Sequence, residues 1–439
     1  MQIVLEVIEG PHRGRRFTFD GHDNFIVGRA RAAHFRLPQK DPYFSRVHFM
    51  VEVNPPHCRM VDMGSTNGTG VNGVRVDSAD LEHGDLIQGG DTVLRVSFIE
   101  QGEQPDEPVA ERRKPPPLPG AKQEKPPKPV LGSTESFAGA MPELSAELIP
   151  AATCGKDSAD APVIEGYEII RELGRGGMGV VYLATRSADS SQVALKTIRP
   201  AAGGSGREVK RFLREAAILR KLQHAHVVAF HEMGHVGELL YFAMDYVPGI
   251  DAARLLGSRG PLAIDRAVHL MCQALTALDH AHAQGFVHRD VKPANLLICK
   301  SEGMEVCKLA DFGLARVYHS SSLSGLTLMG DAGGTMPYMP PEQITRYRDV
   351  SPLADQYSAA ATLYRLLTGH YVLDFEGVPS EKQLTKILFD PAVPIRRRGR
   401  DIPERLADVI HQALAKEPAE RFPNAAAFRA ALMPFAGKQ

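Results

Sequence analysis

The sequence predicts a multidomain chain: an all-β sandwich at the amino end, a proline-rich linker, and an α+β unit at the carboxyl end. Three observations carry this reading. Residues 1–100 hold short apolar runs separated by Gly, Asn, Asp and Pro, the spacing of an antiparallel sandwich. Residues 101–163 change composition sharply, with Pro115-Pro116-Pro117-Leu118-Pro119 and Lys125-Pro126-Pro127-Lys128-Pro129; proline denies a helix its hydrogen bonds and a central strand its ladder. From Tyr167 onward strands come first and long amphipathic helices follow.

Each element has its own signal. Ile3–Ile8, Phe25–Val27, Val47–Val53 and Val93–Phe98 read as strands bounded by turn residues. The linker reads as disordered and partly extended, as polyproline segments are. Leu173-Gly174-Arg175-Gly176-Gly177-Met178-Gly179-Val180-Val181-Tyr182 contains G-x-G-x-x-G. In dinucleotide-binding folds that pattern leads into a helix; here β-branched residues and a tyrosine follow, which predicts strand, turn, strand. Val193-Ala194-Leu195-Lys196 continues the sheet. Arg211–Leu222 and Ala263–Ala283 space their apolar residues as helices do. No internal repeat is visible.

Bulk composition excludes several classes. The 439 residues suffice for two or three domains, and a formal net charge of -1 offers no electrostatic case for nucleic acid or a membrane surface. The five cysteines (Cys58, Cys154, Cys272, Cys299, Cys307) are scattered and lack C-x-x-C pairing, as expected of a reducing compartment without disulfides or zinc. The start, Met1-Gln2-Ile3-Val4-Leu5-Glu6, is not that of a signal peptide, and no run reaches the roughly 20 apolar residues of a membrane helix. A cytoplasmic protein is expected. His224-Ala225-His226 and His280-Ala281-His282 lack the ligand count of a closed metal site.

His288-Arg289-Asp290-Val291-Lys292-Pro293-Ala294-Asn295, followed by Asp311-Phe312-Gly313 and preceded by the Gly-rich hairpin and Lys196, resembles the motif series of bacterial eukaryotic-like Ser/Thr protein kinases. The resemblance covers about residues 167–435, within a domain expected over 164–437, and implies the bilobal kinase fold, with ATP and Mg²⁺ (or Mn²⁺) as cofactors. It implies that Gly174, Gly176, Gly179 and Val181 cover the nucleotide, and that Lys196 holds its phosphates and pairs with Glu215. Met244, Asp245 and Val247 would form the adenine-binding hinge. Asp290 would act as catalytic base beside Lys292, and Asn295 and Asp311 as metal ligands. Lys292 and Thr335 resemble the Ser/Thr rather than the tyrosine class. By the same resemblance Glu342 pairs with Arg421, and Asp355 braces the catalytic loop. Thr327 and Ser324 stand as candidate phosphosites. Arg289 beside Asp290 suggests activation by phosphorylation, and Asp331 is a built-in charge that could stand in for part of it.

At the amino end, Gly28-Arg29, Ser45-Arg46-Val47-His48, Gly64-Ser65-Thr66-Asn67-Gly68-Thr69 and Asn72-Gly73 occur in this order. Together they resemble the forkhead-associated (FHA) domain, whose loops bind phosphothreonine. The resemblance implies that Arg29, Ser45, Arg46, Thr66 and Asn67 contact the phosphopeptide, with His48 as a bracing residue. Arginine and hydroxyl donors suit a phosphate carrying about -1.5 to -2 charge.

The expectation is a Ser/Thr protein kinase acting on protein hydroxyls. Its sandwich recruits phosphothreonine-containing proteins, or sites of its own chain such as Thr327, Thr134 or Thr153, the latter allowing self-association. Two alternatives are a catalytically inactive phosphothreonine-binding scaffold and a sandwich that serves as a plain dimerisation module. The first would require loss of Lys196, Asp290, Asn295 or Asp311, and all four are present.

Overall fold

A computed structural model describes residues 1–38, 42–100, 161–176, 179–199, 217–237, 239–312, 335–346, 349–399 and 401–437. The first hundred residues form β1 (Gln2–Glu9), β2 (Arg16–Phe19), β3 (Asp23–Gly28), β4 (Phe35–Arg36), β5 (Phe49–Asn54), β6 (His57–Asp62), β7 (Thr69–Val71), β8 (Val74–Val76), β9 (Ser78–Asp80), β10 (Leu86–Gly89) and β11 (Thr92–Ile99). They build two sheets, in strand order β2-β1-β11-β10-β7-β8 and β4-β3-β5-β6-β9. The longer strands fall on the apolar runs of the sequence. β5 starts at Phe49 rather than Val47, because Ser45 to His48 are spent on a loop.

Side chains alternate across a strand. Phe25 and Val27 of β3, Phe49 and Val51 of β5, and Met60 of β6 turn inward and form the sandwich core with Ile3, Leu5 and Leu94. The intervening Ile26 and Met50, with Val61, turn outward, yet they are equally buried. Ile26 pairs with Met50 and Met50 with Val61, so the three make one apolar row across the outer face. This row belongs to a continuous cluster with Ile344, Leu384 and Leu388 of the carboxyl-terminal unit.

That unit opens with β12 (Tyr167–Gly176), β13 (Gly179–Arg186), β14 (Gln192–Ile198), β15 (Phe230–Val236) and β16 (Leu239–Asp245), an antiparallel sheet in the order β12-β13-β14-β16-β15. A mainly helical lobe follows: β17 (Gly249–Asp251), α1 (Ala252–Arg259), α2 (Ile264–Ala283), β18 (Leu296–Ser301), β19 (Met304–Leu309), α3 (Pro341–Thr345), α4 (Leu353–Thr368), α5 (Ser380–Phe389), α6 (Glu404–Ala413) and α7 (Ala425–Leu432). α2 buries Ala267, Leu270, Met271, Ala274, Leu278 and Ala281, one stripe at helical spacing. α4 is buried almost all round, as the central helix of a lobe must be. It stops at Gly369, whose left-handed φ of 72° lets its N–H cap Arg365 O at 2.8 Å. Of the predicted helix Arg211–Leu222, residues 217–222 are described, and Ala217–Lys221 among them form a 3-10 turn.

The sandwich rests on α3 and α5. Thr385 of α5 donates to Met63 O at 3.0 Å, and the Arg46 guanidinium lies 4.1 Å from the centre of the Phe389 ring. His34 accepts from Ile26 N–H through Nδ1. Its proton therefore sits on Nε2, which donates to Thr345 O.

Candidate active site

The glycines of the β12–β13 hairpin have different physical reasons. Gly179 has φ 137°, and a Cβ there would lie 1.9 Å from Thr197 O, so no other residue fits. A Cβ at Gly176 would meet nothing within 4 Å, and one at Gly174 would meet the Arg254 guanidinium at 3.7 Å. The fold itself does not demand glycine at those two positions. The open space above them suits a phosphate chain approaching the backbone. Val181 pairs across the hairpin with Gly174 and, on its other side, with Lys196.

Lys196 is buried on β14, and its Nζ donates to Asp311 Oδ2 at 2.8 Å. Burial opposes the charge on Asp311, but the Lys196 ammonium outweighs it and holds the carboxyl below the ordinary Asp value. The strand lysine and the catalytic-lobe aspartate thus meet across the cleft.

The loop from His288 to Asn295 is built around Asp355, which is fully buried on α4. Its carboxylate accepts from the N–H of His288 and of Arg289, each at 2.8 Å, and lies 2.7 Å from His282 Nε2. These bonds hold Arg289 at φ 67°, a conformation side-chain-bearing residues adopt at some cost. Asp290 follows at once. Thr335 Oγ1 donates to Asp290 Oδ1 at 3.1 Å, Asn295 Nδ2 to Oδ2 at 3.1 Å, and Lys292 Nζ lies 2.9 Å from Oδ2. Lys292 Nζ also donates to Thr335 Oγ1 at 2.7 Å. Both Asp290 oxygens are thereby oriented, one of them beside an ammonium.

Asn295 Nδ2 also donates to Asp290 O at 2.7 Å. With its amide hydrogens turned to Asp290, Oδ1 is the atom left for a cation. Asp311 is bonded to Lys196 through Oδ2, and among the described residues its Oδ1 has no hydrogen-bond partner. An amide oxygen and a carboxylate oxygen form a hard donor pair, short of a closed cage; they fit a small divalent cation that takes its other ligands from phosphate and water. Among the described residues no group of three or more His, Cys, Asp or Glu side chains could hold a metal. The two His-x-His pairs have other partners: His226 lies 2.9 Å from Cys307 O, His280 2.8 Å from Gln284, and His224 stacks on His280.

Met244 is buried on β16 and, with Leu219, Leu222, Val227, Phe230 and Phe312, lines a small apolar cavity that reaches Asp311. Asp245 spends its N–H on Ala229 O and its side chain on His231. Val247 is half-buried against the same core. Glu342 and Arg421 form a bidentate pair at 2.6 and 2.8 Å. Glu215, Ser324, Thr327 and Asp331 lie outside the described residues.

In the sandwich, Ser45 and Thr66 come together. Thr66 N–H donates to Ser45 Oγ at 3.0 Å, and the two hydroxyls are 3.4 Å apart. Arg29 N–H donates to Ser45 O, which places Arg29 beside them. His48 braces the two loops: Nδ1 accepts from Ser45 N–H and Nε2 donates to Gly68 O, each at 3.2 Å. Asn67 donates to Tyr43 O at 2.9 Å, so its carbonyl oxygen is what it can offer a peptide. Arg46 stands apart, over Phe389. Sequence reasoning missed the Thr335 bridge to Asp290 and every contact between the two units. The first had a signal in Thr335 itself. The second had one in the unbroken apolar triplets of β3 and β5.

The protein kinase domain profile matches residues 167–433. The chain belongs to the protein kinase family. The FHA domain profile matches residues 25–90, so the fold joins an FHA sandwich to a kinase. The kinase part is 39% identical over 260 residues to the serine/threonine-protein kinase PknD of Mycobacterium tuberculosis, covering 59% of this chain and 38% of PknD. It is 32% identical to PrkC of Bacillus subtilis, covering 59% of this chain and 39% of PrkC. The chain thus spans well under two thirds of these curated relatives. The crystal structure of a double mutant of the M. tuberculosis PknI kinase domain matches with a TM-score of 0.51 and 30% identity, over 64% of this chain and 99% of that one. The crystal structure of Rad53 residues 1–466 in complex with AMP-PNP matches over 100% of both chains, with a TM-score of 0.50 and 22% identity, a likeness of fold. Protein kinases in general use ATP with a divalent metal. Among the described residues no helix is long and apolar enough to cross a membrane.

Proposed function

We propose that the chain is a Ser/Thr protein kinase that moves the γ-phosphoryl group of ATP to protein hydroxyls, and that its FHA sandwich captures phosphothreonine. The observation that carries the first half is the Asp290 carboxylate, held at both oxygens by Thr335, Asn295 and Lys292. Asp290 orients the substrate hydroxyl and takes its proton as the new O–P bond forms and the bond to the ADP leaving group breaks. Lys292, tied to Thr335, would supply positive charge to the transferred group. Asn295 and Asp311 would hold Mg²⁺. When bound, the cation neutralises phosphate charge. The contact between Ser45 and Thr66, with Arg29 alongside, supports the second half, since a dianionic phosphate needs several converging donors. Residues 1–100, 101–163 and 164–437 serve as sandwich, linker and kinase.

The test is radiolabel transfer from ATP to a generic Ser/Thr substrate. Asp290→Ala should lower the rate by ~10²–10⁴, the usual worth of a positioned general base. Equal rates in wild type and Asp290→Ala would favour the scaffold alternative.

A further inference from the structure

We propose that the kinase lobe gates the phosphothreonine site, because Arg46 serves two partners that exclude each other. The inference rests on the phosphothreonine reading of the sandwich. In the docked arrangement the Arg46 guanidinium covers the Phe389 ring at 4.1 Å. Its backbone cannot follow the side chain elsewhere. Arg46 O accepts from Ala30 N–H at 2.8 Å, and Gly28 packs so closely that a Cβ there would lie 2.4 Å from Arg46 O. With its carbonyl held by Ala30 and crowded by Gly28, Arg46 can serve a phosphate beside Ser45 and Thr66 only by swinging its side chain off Phe389.

α5 borders the same loops along one stripe. Lys382, Thr385 and Phe389 are three and four residues apart, so they share a helix face. The Lys382 methylenes lie on Gly64, where a Cβ would come within 2.9 Å. Thr385 holds Met63 O at 3.0 Å. Gly64 opens the loop that carries Thr66 and Asn67, so the helix presses on one recognition loop and takes the arginine of the other. A guanidinium gains more from a dianionic phosphate than from a ring face. Peptide at sufficient concentration therefore draws Arg46 away. Linkage makes the coupling mutual: docking weakens peptide binding, and peptide weakens docking by the same factor.

The experiment uses the full-length chain and a fluorescent pool of phosphothreonine peptides with random flanks, with its unphosphorylated twin as control. Phe389→Ala frees Arg46 and should tighten phosphopeptide binding by about 2- to 30-fold, the range of a guanidinium–ring contact. Thr385→Val, which leaves the apolar packing in place, should move affinity the same way and guards against a folding defect in the first variant. In an Arg46→Ala background Phe389→Ala should give no gain. Hydrogen exchange in α5 of the wild type should quicken when phosphopeptide is added. Unchanged or weaker binding in both Phe389→Ala and Thr385→Val would overturn the gate while leaving phosphothreonine binding intact. Failure of every protein to prefer the phosphorylated pool would remove the phosphothreonine reading, and the gate with it.

Discussion

Thr335 is one hydroxyl doing two things: it accepts from Lys292 and donates to Asp290. Replacing it with valine keeps the shape and removes both bonds. Hydrogen bonds to charged groups are worth about 1.5–3 kcal/mol, so kcat for Thr335→Val should fall roughly 10- to 150-fold if that orientation is fully used in the transition state. Thr335→Ser should recover most of it, read by steady-state phosphoryl transfer. Arg421 makes the opposite kind of contact. Its side chain is 0% exposed and that of Glu342 is 9% exposed, so Arg421→Met strands a buried carboxylate. The expected loss is about 3–5 kcal/mol of stability, measured by urea unfolding, and removing Glu342 as well should return much of it. At this scale the sequence was readable through its motifs, which mark residue types at fixed spacing. It was not readable where partners are far apart in the chain. No local pattern ties residue 342 to residue 421, or residue 335 to residue 290; the first was expected by resemblance and the second was missed.

Among the elements, α4 matters through Asp355. Burial works against the Asp355 charge, and the hydrogen bond from His282, the His282 and His288 charges and the His288 N–H outweigh it, so its pKa lies below the ordinary Asp value. The unfolded chain then binds the proton more readily. The stabilisation is complete above about pH 4 and drains away as pH falls through the lower folded value. The stability gap between wild type and Asp355→Asn should therefore shrink on acidification below about pH 4, followed by chemical denaturation. α5 is capped by Lys416, whose Nζ donates to Ile387 O at 2.6 Å. Burial lowers its pKa to about 8. Between that value and its unfolded pKa of about 10.4 the unfolded state holds more protons, so this group adds stability as pH rises through the window. The Tm of wild type relative to Lys416→Met should increase from pH 8 to pH 10. α2 was legible because twenty residues repeat one apolar period. Short strands such as β4, β7 and β8 were not, since two or three residues carry no periodicity and are set by their neighbours in the sheet.

On the scale of the molecule, the Ile26–Met50–Val61 row joins two folded units into one apolar cluster. Met50→Asp would place a charge within it without touching the sandwich's own core, because the neighbouring Phe49 and Val51 face the other way. Undocking should follow. Small-angle scattering should report a larger radius of gyration, while each unit keeps its own secondary structure. An unchanged radius would show that the row is not what holds the units together. The sandwich and the kinase were each legible from alternation, turns and motifs. Their contact was not, since a sequence reveals that a strand is apolar on both faces but says nothing of what covers the second face.

That second face also bears on how such a protein arises by domain shuffling. A sandwich whose outer sheet is polar can be copied into a new gene and remain harmless wherever it lands. This one would carry a wet apolar stripe made of Ile26, Met50 and Val61 into any host lacking a match for α3 and α5, and the transplanted piece would self-associate or be degraded. To become portable it would first need polar residues at those three outward positions, changes that cost it its grip on the kinase. The two halves are therefore bound to be inherited together, and their interface should drift as a pair.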